Sequence, residues 1–482
     1  MNTPLRRVAT VMLAMFVVLM GAATSVQYVQ AEDLNTDPRN VRTLYREFGN
    51  ARGPIVVAGD AIAESVQVDD PYGYQRKYTD AELYSTVTGF YSIVNGSSEL
   101  ERAANDQLTG RSDQLFFSRL RDLITGRKPE GAAVETTLLP AAQEAALEGL
   151  GDQQGAVVAI EPSTGRILAL VSTPGFDPND LASHDMAEAS AAYTELAGAD
   201  GNPLRSNATH ETYPPGSTFK LVTAAAALES GTYDEDATLA APNRLTLPQT
   251  SATIGNFGGG GCGADPISLK DALRVSCNTA FAQLGMDLGA DALREQAERF
   301  GFGQDLTIPM SVADSRFPAA PNQPQTAQSA IGQFDVAATP LQMAMVSAAI
   351  ANDGRLMTPY VVERVRAADL SVVSQTEPSL MSTAVSPGTA QQLTDMMIGV
   401  VQDGSGTSAQ ISGVQVAGKT GTAQTSSDAA PHAWFTAFAP ADDPQVAVAV
   451  IVEHGGAMGS EATGGRVAAP IARAVIQAVL GS

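Results

Sequence analysis

Apolar, strand-like segments stand at both ends of the stretch from Ala156 to the C-terminus, with Ala-rich helical patterns between them. That arrangement limits the fold more than any other feature of the chain. Val157-Val-Ala-Ile160 and Ile167-Leu-Ala-Leu-Val171 flank Glu161-Pro-Ser-Thr-Gly165 and predict a hairpin. Residues 433–438 and 446–452 predict two more strands, joined by a turn with Pro440, Asp442, Asp443 and Pro444. Residues 468–480 suit a closing helix. Helical patterns in the middle cover residues 218–229, 269–275, 279–288, 292–300 and 341–351. Strands first, helices next and strands last imply one sheet assembled from both ends of a domain, with a helical lobe inserted.

The other end of the chain has a different texture. Arg6 and Arg7 precede an uncharged stretch over residues 8–26, and Glu32 and Asp33 lie beyond it. The stretch is long enough to cross the hydrocarbon core as a helix. Positive residues on its N-terminal side place that end in the cytoplasm and export the remainder of the chain. The expectation is a cytoplasmic tail over 1–7, a retained single-pass membrane anchor over 8–28 and an extracytoplasmic body. Val29-Gln-Ala31 offers the alternative of a cleaved signal peptide. Residues 32–150 read as an N-terminal non-catalytic region, and 151–482 as the second domain. The first region is polar around Asp37-Pro-Arg-Asn40, strand-like at Pro54-Ile-Val-Val-Ala58 and helical by pattern over 113–123. It carries no catalytic constellation. The run Gly258-Gly-Gly-Gly261 reads as a loop.

Charge narrows the function. Asp and Glu number 52 against 29 Lys and Arg, a net charge of −23, which repels phosphate and excludes nucleic acid as a partner. Two cysteines and four scattered histidines (His184, His210, His432, His454) supply no zinc-ligand spacing, so neither metal nor cofactor is expected. The cations divide into 24 Arg and five Lys: Lys77, Lys128, Lys220, Lys270 and Lys419. An amine can lose its proton where a guanidinium cannot, which directs attention to Lys220 and Lys419.

Three short motifs surround those two lysines. In Ser217-Thr-Phe-Lys220, Pro214, Pro215 and Gly216 stop the chain and a helical pattern begins at once. Ser217 therefore lies at a helix start, where free N–H groups favour developing negative charge. Lys220 shares its face and can approach the hydroxyl, and a serine needs such a base to become a nucleophile. A helix-capping Ser followed by a surface Lys has the same spelling. In Ser276-Cys-Asn278 a short loop presents a hydroxyl able to relay a proton and an amide able to hold a peptide, or simply caps the next helix. In Lys419-Thr-Gly-Thr422, Lys419 and Thr420 can bind a carboxylate on an edge strand. Gly421 lets a ligand come close, and backbone N–H groups can hold an oxyanion. Gly413-Val-Gln-Val-Ala-Gly418-Lys419-Thr420 also spells a phosphate-binding loop. That reading needs a helix starting at the lysine, whereas alternating Val414 and Val416 predict a strand.

The three motifs in this order resemble the signature of penicillin-binding proteins and serine β-lactamases. Tyr213-Pro-Pro-Gly-Ser-Thr-Phe-Lys220, Ile331-Gly-Gln333, Thr339-Pro-Leu341, Ala351-Asn-Asp-Gly354, Val416-Ala-Gly-Lys-Thr-Gly-Thr-Ala-Gln424 and Ala433-Trp-Phe435 look like class B penicillin-binding proteins. The anchor and the Asp37–Asn40 region resemble, more loosely, the actinobacterial penicillin-binding protein A type. The resemblance implies an α+β transpeptidase fold, similar to serine β-lactamases: a central antiparallel sheet, flanking helices and a helical lobe. It implies a peptidoglycan D,D-transpeptidase that cross-links stem peptides ending in D-Ala-D-Ala and is acylated by β-lactams. Ser217 would be the nucleophile, Lys220 its base and Ser276 the relay towards the leaving D-alanine. Asn278 would contact the donor peptide, and Lys419, Thr420 and Gly421 its terminal carboxylate end. Backbone N–H groups of Ser217 and Thr422 would form the oxyanion hole. Cys277, in the middle of the second motif, is expected to pair with Cys262 in an oxidising compartment and pin the Ser276 loop, the alternative being two free thiols.

Other functions on the same motifs are a β-lactamase, a penicillin-sensing receptor and a non-catalytic division scaffold. A class A lactamase resembles Glu-x-x-Leu-Asn between the second and third motifs. The glutamates in that interval, Glu295, Glu298, Glu363 and Glu377, lack that context. Without a carboxylate to activate water, the acyl-enzyme waits for an amine. A receptor should carry an intracellular signalling domain, and only a few residues precede the anchor. Intact motifs argue against a scaffold. The first region is too short for a glycosyltransferase, so glycan-polymerising or division partners are expected.

Overall fold

The computed structural model describes residues 2–30, 48–115, 130–424 and 429–481. The Asp37–Asn40 region and most of the helical pattern over 113–123 lie outside them. Asn2–Thr24 is a helix, prolonged by one wider turn over Ser25–Val29. It is apolar, exposed over residues 3–24 and long enough to span a bilayer.

A six-stranded sheet builds the first region, in the order Val372–Gln375, Val362–Arg366, Ala133–Thr136, Ile55–Val57, Asp60–Gln67, Tyr74–Tyr78. Its first two strands come from far beyond residue 150, so this region is not closed by residues 32–150 alone. Val362–Arg366 pairs antiparallel with Ala133–Thr136 and brings the second domain with it. Beneath the sheet Glu101 is fully buried between two guanidinium groups, 2.5 Å from Arg52 Nε and 2.6 Å from Arg76 Nε. Burial pushes this carboxyl up, but Arg76 and Arg52 outweigh that and hold it below the usual glutamate range.

The second domain is organised by a five-stranded antiparallel sheet: β1 (Gly155–Ile160), β2 (Ile167–Thr173), β3 (Ala417–Ala423), β4 (His432–Ala439) and β5 (Val446–Val452). The order is β3-β4-β5-β1-β2, so the two chain ends meet where β5 pairs with β1, Val450 opposite Val157. Alternate side chains point to opposite faces. Val157, Ala159, Val448 and Val450 face the helix Pro140–Leu150 and the closing helix Ala468–Leu480. Val158, Ile160, Ala449 and Ile451 face Leu341, Ala344 and Met345 on the helix Pro340–Ala351. Both faces are covered, which explains the nearly continuous apolar spelling of these strands; each buried Val or Ile contributes roughly 1.5–3 kcal/mol.

The inserted lobe holds α1 (Lys220–Glu229), α2 (Asn278–Leu288) and α3 (Pro387–Gln402). The last of these is a long helix that the sequence pattern did not single out. Thr223 ties α1 to the lobe by donating to the Ala330 carbonyl, 2.8 Å.

Candidate active site

The site forms where the open edge of the sheet, strand β3, meets the start of α1. Gly216–Phe219 makes one 3-10 turn that runs directly into α1, placing half-buried Ser217 on the turn and Lys220 at the first helical position. This turn is held at several points. Tyr213 exchanges both backbone hydrogen bonds with Ala338 at 2.9 Å, and Gly216 N–H donates to the Gly332 carbonyl at 2.9 Å. The Trp434 indole donates to the Pro214 carbonyl at 3.1 Å. Tyr213 Oη donates to Glu453 Oε1 at 2.8 Å.

Lys220 is fully buried and gives its shortest bonds to Ser276 O and Asn278 Oδ1, both at 2.7 Å; Ser276 Oγ lies at 3.3 Å. Among the described residues no hydrogen bond joins it to Ser217 Oγ. Two carbonyl-type oxygens are what a neutral amine, with two N–H groups, can satisfy. When Lys220 loses a proton, the longer bond to Ser276 Oγ is the one given up, which frees a lone pair. Lys419, also fully buried and in the middle of β3, donates to Ser276 Oγ at 2.9 Å and to Thr420 O at 2.8 Å. Burial lowers Lys419 to about 7. Burial first, and the charge of Lys419 second, take Lys220 well below its ordinary value. The site is therefore arranged to deprotonate one amine while the other sits beside it.

Four of the sequence-predicted residues, Lys220, Ser276, Asn278 and Lys419, thus join in one hydrogen-bonded cluster. Thr420 turns its hydroxyl to Ser405, 2.6 Å away. Thr422 stands opposite Ala433 on β4, and a Cβ on Gly216 would lie 2.9 Å from the Thr422 carbonyl, so the turn carrying Ser217 packs closely against this end of β3. Gly421 has a packing role beyond the one expected. A side chain there would meet Trp434 Cβ, Pro215 O and Thr218 Cγ2 at 2.9–3.0 Å, so this glycine also serves the approach of the Ser217 turn to β3. Cys262 and Cys277 are bonded, with Cα atoms 5.6 Å apart. The phosphate-loop reading is overturned. Residues 417–423 are strand throughout, and no helix begins at Lys419 to present its N–H groups to a phosphate.

Two contributions were hidden from sequence reasoning. Gly332, at φ +71°, is placed so that any side chain would strike the Gly216 carbonyl at 2.1 Å; its only signal was its place in Ile331-Gly-Gln333. His432, far in sequence from the adjacent pair Glu453 and His454, joins them with ligating atoms within 4.8 Å of one another. His432 Nδ1 accepts the His454 N–H at 3.1 Å, which leaves the proton of the neutral ring on Nε2. A metal there would have to displace it, because a ligating imidazole normally donates, not accepts, through its other nitrogen. The donor set fits a bracket for Tyr213 better than it fits a cation.

Comparison with known proteins finds two families along the chain. Residues 155–477 match the penicillin binding protein transpeptidase domain, and residues 52–134 the penicillin binding protein A dimerisation domain. The peptidoglycan D,D-transpeptidase PbpA of Mycolicibacterium smegmatis is 47% identical, over 100% of this chain and 99% of its own. That of Mycobacterium tuberculosis is 45% identical over the same shares. The ceftriaxone acyl-enzyme complex of penicillin-binding protein A from M. tuberculosis superposes with a TM-score of 0.88 at 45% identity, covering 90% of this chain and 100% of that one. The D,D-transpeptidase domain of a peptidoglycan glycosyltransferase from Eggerthella lenta gives a TM-score of 0.77 at 33% identity, covering 90% and 99%.

Proposed function

Because the chain belongs to the penicillin-binding protein transpeptidase family, we propose that it is a peptidoglycan D,D-transpeptidase working through an acyl-enzyme on Ser217. The observation that carries this reading is the meeting of two buried amines, Lys220 and Lys419, at the Ser276 hydroxyl. In the proposed reaction Ser217 Oγ attacks the carbonyl carbon of the penultimate D-alanine, and its proton passes to Lys220. Charge develops on the carbonyl oxygen between the backbone N–H groups of Ser217 and Thr422. The C–N bond breaks, and a proton delivered through Ser276 leaves with D-alanine as its amine. An acceptor amine on a second stem peptide then attacks the ester, forming the cross-link and returning the proton to the serine. Asn278 holds the donor backbone, while Lys419 and Thr420 hold its terminal carboxylate.

A β-lactam enters the same path with one difference. Its amide lies in a ring, so the leaving nitrogen stays tethered and blocks the acceptor. The apolar helix at the N-terminus serves as the anchor, with the catalytic domain outside and wall-polymerising or division proteins as partners. Labelling with a fluorescent penicillin tests the whole reading. A stable adduct that maps to Ser217 and vanishes in Ser217→Ala is expected. No adduct on folded protein would leave a scaffold, and rapid release of hydrolysed drug would leave a lactamase.

A further inference from the structure

The turn carrying Ser276 and Asn278 does not hold itself. Ser276 sits at φ +60°, in the left-handed region that side chains other than glycine disfavour. The helix behind it, α2, has Cys277 at its cap, and Cys277 provides no side-chain cap hydrogen bond. Its sulfur is committed to Cys262. The missing acceptor comes instead from Asn256, 22 residues upstream of Asn278, on the loop just after the short strand Thr253–Gly255. Asn256 Oδ1 accepts the N–H of Asn278 at 2.9 Å and that of Thr279 at 3.1 Å, the service a cap residue normally performs for its own helix. The contact is reciprocal, since Asn278 Nδ2 donates to the Gly255 carbonyl at 3.1 Å. The same Asn278 side chain presents its Oδ1 to Lys220 at 2.7 Å. One chain of bonds thus runs from Asn256 through Asn278 to the amine.

We propose that Asn256 is a positioning residue for acylation: by capping α2 from outside, it fixes the Asn278 carboxamide and the strained Ser276 against Lys220. Asn256 Nδ2 donates to the Gly260 carbonyl at 3.3 Å and to Thr279 Oγ1 at 3.4 Å, longer bonds that orient the carboxamide, while its oxygen alone serves the N–H groups at the start of α2. The inference rests on the reading of Ser217 as nucleophile and Lys220 as base. A displacement of about 1 Å in groups that must be in register with the reacting atoms costs on the order of 100-fold in rate.

The test is the second-order rate of acylation by penicillin G on the full chain, for wild type, Asn256→Ala and Asn256→Asp. Asn256→Ala removes the acceptor and should slow acylation roughly 10- to 100-fold, through the limiting rate constant more than through the drug concentration at half-saturation. Asn256→Asp keeps an acceptor oxygen at the same reach and should stay within about threefold of wild type. Acylation of Asn256→Ala at the wild-type rate would overturn the proposal, as would an Asn256→Asp variant as slow as the alanine one. An alanine variant that does not fold would make Asn256 a general stability residue and overturn it too. Failure of the wild type to be acylated would instead refute the transpeptidase reading.

Discussion

Lys220 and Lys419 meet at one oxygen: their amines stand 3.3 and 2.9 Å from Ser276 Oγ, and neither side chain is exposed. Both lose protons more readily than in the unfolded chain, Lys419 at about 7 and Lys220 well below its ordinary 10.5. In the proposed reaction their tasks differ in sign. Lys220 must be neutral, so the rate climbs as pH rises through its lowered value. Lys419 must be charged to hold a carboxylate, so the rate falls above about 7. kcat/KM for acylation should therefore be bell-shaped, with its alkaline limb near neutrality. Lys419→Arg keeps its charge at every accessible pH and should lose that limb. A wild-type profile that keeps rising to about pH 9 would contradict the assignment of Lys419.

Gly332 gives a second expectation. Its φ of +71° and the 2.1 Å overlap that a Cβ would make with the Gly216 carbonyl leave no room for even a methyl group. Gly332→Ala should push the Ser217 turn off β3 and cost roughly 1–3 kcal/mol of stability. Acylation by penicillin should fall far more than the drop in melting temperature explains. An alanine variant with full acylation would show that the turn does not depend on this contact.

Glu101 carries a third, remote from the chemistry. Glu101→Ala strands the buried Arg52 and Arg76 guanidinium groups without a counter-charge among the described residues. Removing one partner of a buried ion pair costs about 3–5 kcal/mol, which a denaturant titration would read as an earlier midpoint. Because the Arg76 and Arg52 charges hold the carboxyl below its unfolded 4.5, its contribution is complete above that pH. It is lost as the solution is acidified through the folded value. A midpoint unchanged by the substitution would mean that the two arginines find other partners.

Much of this was legible from local spelling. The closing helix, the hairpin and the strands at 432–439 and 446–452 are announced by apolar runs with Pro and Asp between them. The Ser217 turn is announced by Pro214-Pro-Gly216, which lets a helix start in only one place. What escaped notice depends on partners distant in sequence. Val362–Arg366 alternates Val with charge and looks like an ordinary surface segment until Ala133–Thr136 pairs with it. Asn256 sits beside a glycine run and is indistinguishable from a loop asparagine until α2 is brought to it. The packing need for Gly421 was hidden because the sequence tells that a residue is small but not which neighbour requires it.

The meeting of β1 with β5 has a consequence for how the protein is made. A chain delivered N-terminus first presents β1 and β2 as a bare hairpin, with an unpaired apolar flank, until residue 446 or so has emerged. Long-range pairings of this kind form slowly, and an open strand flank invites association with other chains. A nascent molecule interrupted anywhere before β5 keeps that flank naked, whatever its motifs contain. The sheet whose edge carries Lys419 is thus whole only once nearly the entire chain has been made, so no truncated copy can hold the reactive cluster in place.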